Sequence, residues 1–128
     1  MIEFVFPQST GEWLAWFGAF YFIIGGLVAL ITPRRFMTLT HLAVEKPAGM
    51  SEIRGALGGA YIGFGVAAIM FAQPLIYLAL GFALAGMVLG RLISMAIDGA
   101  RSSKVWFFTA IEALLAFFPI AYVFGLIA

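Results

Sequence analysis

The chain has 128 residues, 64% of them hydrophobic and 10% charged, and a mean hydropathy of +1.10. An ordinary soluble domain carries about 25% charged residues, so this composition defines one integral membrane domain. A net charge of +1 offers no basic field for nucleic acid. The absence of cysteine removes disulfide and iron–sulfur chemistry, and the single histidine excludes a bis-histidine haem or a His-Glu-x-x-His zinc helix. No cofactor is expected, and no metal.

The first twelve residues carry Glu3 and Glu12 without Lys or Arg. They lack the basic segment and small-residue cleavage site of a removable leader, so the first helix is expected to direct insertion itself. Ser9 stands three residues before Glu12 in capping-box spacing, which predicts a helix start near Ser9 or Thr10. From 13 to 31 there are 19 residues without a charge, the number that a hydrocarbon layer of about 30 Å requires. This defines a first span over about 12–32, with Trp13 and Trp16 at its interfacial start.

Thr32-Pro33 reads as an N-cap followed by proline at the first helical position. Phe36, Leu39 and Ala43 recur at amphipathic spacing, which predicts a short interfacial helix over 33–43, with an ordinary loop as the alternative. His41 is then an interfacial residue rather than a ligand. After the break at 45–49, Ser51 is the expected N-cap of a second span over 51–71, a third runs over 75–98 to a stop at Gly99, and a fourth over 105–127. Arg34, Arg35, Lys46, Arg101 and Lys104 all fall in the first and third connectors. The positive-inside rule therefore gives an antiparallel up-down bundle in a bacterial inner membrane, with both termini on the periplasmic side.

Residues 89–99 place an arginine inside the third span. At about 100° per residue, Arg91, Ser94 and Asp98 share one side of the helix, while Phe82, Leu89 and Ile93 point the other way. An unpaired arginine near the bilayer centre costs roughly 2.5–3.5 kcal/mol, so Arg91 requires a partner. It lies seven residues before Asp98, and Glu112 lies seven after Val105, which puts the two at similar depth on neighbouring helices. An Arg91–Glu112 pair is expected, with Glu52, Arg54 and Asp98 converging on the same end. Such a pair fixes helix register or marks a pathway, and snorkelling of Arg91 to the headgroups is the competing reading.

Gly55, Gly59 and Gly63 form consecutive Gly-x-x-x-Gly steps, and Gly86 with Gly90 repeats the motif, so these five are the expected helix-packing positions. Gly58 and Gly65 form a second stripe, expected to leave space beside Tyr61. Pro119 withholds a donor from the Leu115 carbonyl, which predicts a kink and a cavity above Glu112.

The ordered set Glu52-x-Arg54, Gly58-Gly59, Gly63-x-Gly65, Pro74, Gly90-Arg91, Ser94, Asp98-Gly99 and Glu112 resembles a family of small bacterial four-helix membrane proteins known only as a domain of unknown function. The resemblance covers about residues 12–127. It implies an all-α four-span fold and one shared site comprising Glu52, Arg54, Arg91, Asp98 and Glu112; it implies no activity. Small multidrug exporters, which place a glutamate midway along the first span, match in size only, because 13–31 is uncharged here.

The leading functional expectation is a non-catalytic accessory subunit of a larger inner-membrane complex, for example an energy-converting one. Its partners would be the lipid bilayer, other membrane subunits, and lipid or pigment. The alternative is a carrier of a small molecule, ion or lipid that uses Arg91 and Glu112. A third reading is an intramembrane enzyme on a lipid, with Glu112 or Asp98 as general base.

Overall fold

The computed structural model describes residues 6–71 and 73–128. The expectations attached to Glu3 and to the opening residues of the leader reading lie outside the described residues, as does Ala72.

Helix α1 spans Thr10–Ile31. Its N-cap is Ser9, whose hydroxyl accepts the Glu12 N–H at 3.1 Å, while the Glu12 carboxylate accepts the Gln8 N–H at 2.8 Å. The first contact satisfies an amide that the first turn leaves without a helical partner, and the second ties down the residue that precedes the cap. Helix α2, Pro33–Thr40, begins with proline at a position where the missing N–H costs nothing. It ends at an exposed His41 in the left-handed region, φ 57°, and so stops short of residue 43. Thr32 does not cap it through its side chain; that hydroxyl instead donates back to the Val28 carbonyl at 3.1 Å.

Helix α3, Pro47–Phe71, begins four residues before the expected Ser51. The proline that signals a break is itself the first helical residue, again because position N1 needs no donor. Its segment Ile53–Gly59 is a π turn, a widened geometry common at functional sites and here built on Gly55, Gly58 and Gly59. Helix α4, Pro74–Ile97, stops at Asp98 and Gly99, the latter at φ 68°, and the Arg101 guanidinium Nε donates to the Met95 carbonyl at 2.9 Å. Helix α5, Ser103–Val123, is capped by Ser102 and ends before the expected residue 127. Pro119 lies inside α5, which continues through it.

Four of the helices, α1, α3, α4 and α5, are long and apolar enough to cross a membrane, and no strand occurs among the described residues. They form a bundle in which α1 packs on α3 and α5, and α4 packs on α5; α3 and α4 touch little. The core joins Phe22 of α1 to Leu80 and Leu84 of α4 and Ala116 of α5, with Tyr61 and Phe64 of α3 stacked on Phe22 at ring distances of 4.8 and 5.6 Å. Phe82, Leu89 and Ile93 are exposed, as are Phe107, Leu114 and Phe117 of α5. These side chains form the apolar outer surface that a bilayer requires.

Close helix approach falls on glycines other than the five expected. A methyl added at Gly26 would lie 2.7 Å from the Gly58 carbonyl oxygen, one at Gly65 2.7 Å from that of Ala19, and one at Gly81 2.6 Å from Ile120. Gly55, Gly63, Gly86 and Gly90 meet nothing within 4 Å, and Gly59 only the Arg54 carbonyl of its own helix. All five face outward. The second stripe, Gly58 and Gly65, is the packed one, filled by Leu30 and Ile23 of α1 rather than left as space. Spacing makes both stripes equally capable of close contact; the face that α1 occupies decides between them.

Candidate functional site

Arg91 of α4 and Glu112 of α5 meet where the four long helices converge. The Arg91 Nε donates to Glu112 Oε2 at 2.6 Å and Nη2 donates to Oε1 at 2.9 Å, a two-pronged contact that matches guanidinium to carboxylate geometry. The Tyr21 hydroxyl of α1 donates to the same Oε1 at 2.5 Å. Glu112 is fully buried, so its charge is balanced by three hydrogen bonds rather than by water. The guanidinium also lies 5.4 Å from the centre of the Phe108 ring, one helical turn before Glu112 on α5. Three helices are thereby tied through one carboxylate.

Arg91 is not sealed in. Its side chain keeps 30% of its surface exposed, and it lines a cavity of about 270 Å³ together with Glu112. Tyr21 and Tyr61 supply hydroxyls to the wall, and Met87 and Phe108 supply apolar surface. On one side Phe36 and Leu39 of α2 form a cover, and Gly25 of α1 leaves room where any side chain would intrude. The volume sits just below the roughly 300–1,000 Å³ of small-molecule pockets, and the lining has their character: mostly apolar, with a few placed polar groups. Exposed Ile24 and Leu39 stand at its margin, so the opening faces the outer surface of the bundle. Lys104 of α5 holds the cover in place by donating to the Thr38 carbonyl at 3.1 Å.

The other expected members of the cluster stand apart. Ser94 donates to Asp98 at 2.7 Å, a contact within one turn of α4, and Asp98 is exposed at the helix end. Arg54 reaches the Leu30 carbonyl at the last turn of α1, and Glu52 is exposed on α3. Arg91–Glu112 is the one ion pair among the described residues. The five charges do not form a single site, because each outlying group finds a local backbone or hydroxyl partner or stays at the surface. Pro119 is fully buried against Gly81 and lies outside the cavity lining, so the space beside Glu112 opens toward α2 instead.

The expected space beside Tyr61 is present, though Gly25 rather than Gly58 and Gly65 lines it; spacing does not single out Tyr21, Phe108 or Gly25. Glycine at 25 beside Gly26, midway along a span of bulky residues, is the sequence signal that was open to reading: one glycine admits α3 and the other leaves the cavity. Among the described residues no three His, Cys, Asp or Glu side chains converge, so the polar side chains at the site are a guanidinium, a carboxylate, two phenols and the Thr40 hydroxyl, which donates to the Phe36 carbonyl at 2.8 Å.

These features define a four-span helical membrane protein with a buried arginine–glutamate pair at the wall of an apolar cavity. The chain belongs to the family described as Domain of unknown function (DUF4345), whose model matches residues 11–124 and so takes in every cavity residue named above. No curated protein and no solved structure matches it.

Proposed function

We propose that the protein is a non-catalytic membrane binding protein that holds a small amphipathic molecule in the cavity at Arg91 and Glu112, as a carrier does. The observation that carries this reading is the open edge of Arg91: a pair that served only to fix register would be enclosed by packed side chains, whereas this one borders about 270 Å³ of cavity. Binding is favoured over catalysis because Glu112, the one carboxylate there, is saturated by Arg91 and Tyr21 and has no free surface from which to act as a base. The membrane would be a bacterial inner membrane, with Arg34, Arg35, Arg101 and Lys104 on the cytoplasmic side.

The test is native mass spectrometry of the full chain released from nanodiscs made with native lipid. Wild type should retain a small amphipathic molecule that Gly25→Leu, whose first added carbon meets nothing within 4 Å, excludes by filling the cavity. Met87→Trp, acting from α4, should do the same. Equal retention in all three proteins would remove the basis of the reading.

A second reading, accessory subunit of a larger membrane complex, is favoured by the open faces of Gly55, Gly59 and Gly63, which offer a smooth ridge to another transmembrane helix. Co-migration with a large complex on native gels after mild-detergent extraction supports it; migration alone contradicts it.

A further inference from the structure

The donors left over at the cavity define the chemistry of its occupant. Arg91 commits Nε and Nη2 to Glu112, and among the described residues Nη1 has no hydrogen-bond partner. The Tyr21 proton is likewise committed to Glu112. The Tyr61 hydroxyl has only the Met87 sulfur, at 3.9 Å, a weak acceptor easily exchanged for oxygen. The unspent hydrogens at the wall are thus three N–H of Arg91, two on Nη1 and one on Nη2, and the O–H of Tyr61, while the Thr40 hydroxyl spends its proton on the Phe36 carbonyl at 2.8 Å. Their natural complement is an acceptor oxygen.

Charge narrows the class. The guanidinium charge is already balanced in place by a buried carboxylate at 2.6 Å. An anionic ligand would therefore set a second negative charge beside Glu112 in a low-dielectric setting, and a cationic one would face Arg91 with no free carboxylate to receive it. Neither is favoured. A neutral carbonyl or alcohol oxygen accepts from Arg91 and Tyr61 without disturbing the pair, and the apolar walls take a hydrocarbon body.

We infer that the site selects a neutral, largely hydrocarbon molecule through a single carbonyl or hydroxyl oxygen, and discriminates against the corresponding carboxylate and amine. This rests on the binding reading above and adds the identity of the recognised group. Occupancy of the Arg91 edge leaves the Arg91–Glu112 contact intact, so the same pair serves packing and recognition together.

The experiment uses the full chain in nanodiscs with four probes of matched length: 2-undecanone, 1-undecene, undecanoate and undecylamine. Bound probe is quantified by extraction and gas chromatography, and binding to Gly25→Leu nanodiscs is subtracted to remove lipid partitioning. 2-Undecanone should bind about tenfold tighter than 1-undecene, the factor expected when two buried donors gain an acceptor, and also tighter than either charged probe. Tyr61→Phe, which keeps the ring, should cut the ketone's advantage about threefold while leaving 1-undecene unchanged. Equal binding of ketone and alkene, or tightest binding of undecanoate or undecylamine, overturns the inference while the cavity reading stands. If no probe binds above the Gly25→Leu level, the cavity reading fails, and the inference with it.

Discussion

Arg91 and Glu112 are each the other's reason for being tolerated inside an apolar bundle. Glu112→Gln keeps the shape but leaves the arginine charge uncompensated, so it should lower unfolding stability in detergent by about 3–5 kcal/mol. Tyr21→Phe removes one charge-assisted bond, at 2.5 Å, and should cost less, about 1.5–3 kcal/mol. The double variant Arg91→Met, Glu112→Met, which removes both charges, should be more stable than Glu112→Gln alone. If Glu112→Gln unfolded like wild type, the pair would not be holding the helices. The contact is legible in the sequence because Arg91 and Glu112 each sit seven positions from an expected boundary, Asp98 and Val105, and depth follows from rise per residue; the helices themselves end six residues after Arg91 and begin nine before Glu112. Tyr21 is not legible in the same way. It sits on a span crowded with aromatics, and only the tertiary placement of α1 shows which ring meets the carboxylate.

At the scale of elements, the glycines test how the helices meet. Gly65→Ala would place a methyl 2.6 Å from Ile23 and 2.7 Å from a backbone oxygen, and should destabilise by about 1–3 kcal/mol. Gly63→Ala, two residues away, faces open space and should be neutral or stabilise by up to about 1 kcal/mol through helix propensity. Equal effects in thermal unfolding would mean that α1 does not lie on the Gly58–Gly65 face. Four- and seven-residue spacings are both compatible with a close-packed stripe, so sequence periodicity cannot choose between them. The start of α3 was hidden for a related reason: Pro47 reads as a breaker and serves as a first helical residue. Helix α2 carries its own prediction. Lys104→Ala removes the contact to the Thr38 carbonyl and should raise amide exchange across α2 roughly two- to tenfold, measured by hydrogen–deuterium exchange. Unchanged exchange would mean that Lys104 does not secure the cover.

Considered whole, the molecule is a bundle with an apolar exterior and, among the described residues, one interior charge pair, reached from the outer surface beside the α2 cover. The four spans were legible from hydropathy and the basic connectors, because a bilayer imposes length and composition directly on sequence. A cavity beside Glu112 and Tyr61 was expected, but its place was not legible: it opens toward Gly25 and α2 and not at Pro119, because space between helices is set only when they pack. Orientation is open to a clean test because the chain has no cysteine. With single substitutions in intact spheroplasts, a membrane-impermeant maleimide should label Gln8→Cys at once and Ser103→Cys only after lysis; the reverse pattern would invert the topology.

The most direct test of the cavity is to locate a bound molecule. Wild-type protein in native lipid is photolysed with a diazirine-bearing 2-undecanone, and the adducts are mapped by peptide mass spectrometry. The account predicts modification concentrated on Tyr61, Met87 and Phe108 and suppressed by Gly25→Leu. Adducts spread over the outward-facing Phe82, Leu89 and Phe117, with no change in Gly25→Leu, would show that the molecule touches this protein only as surrounding lipid does.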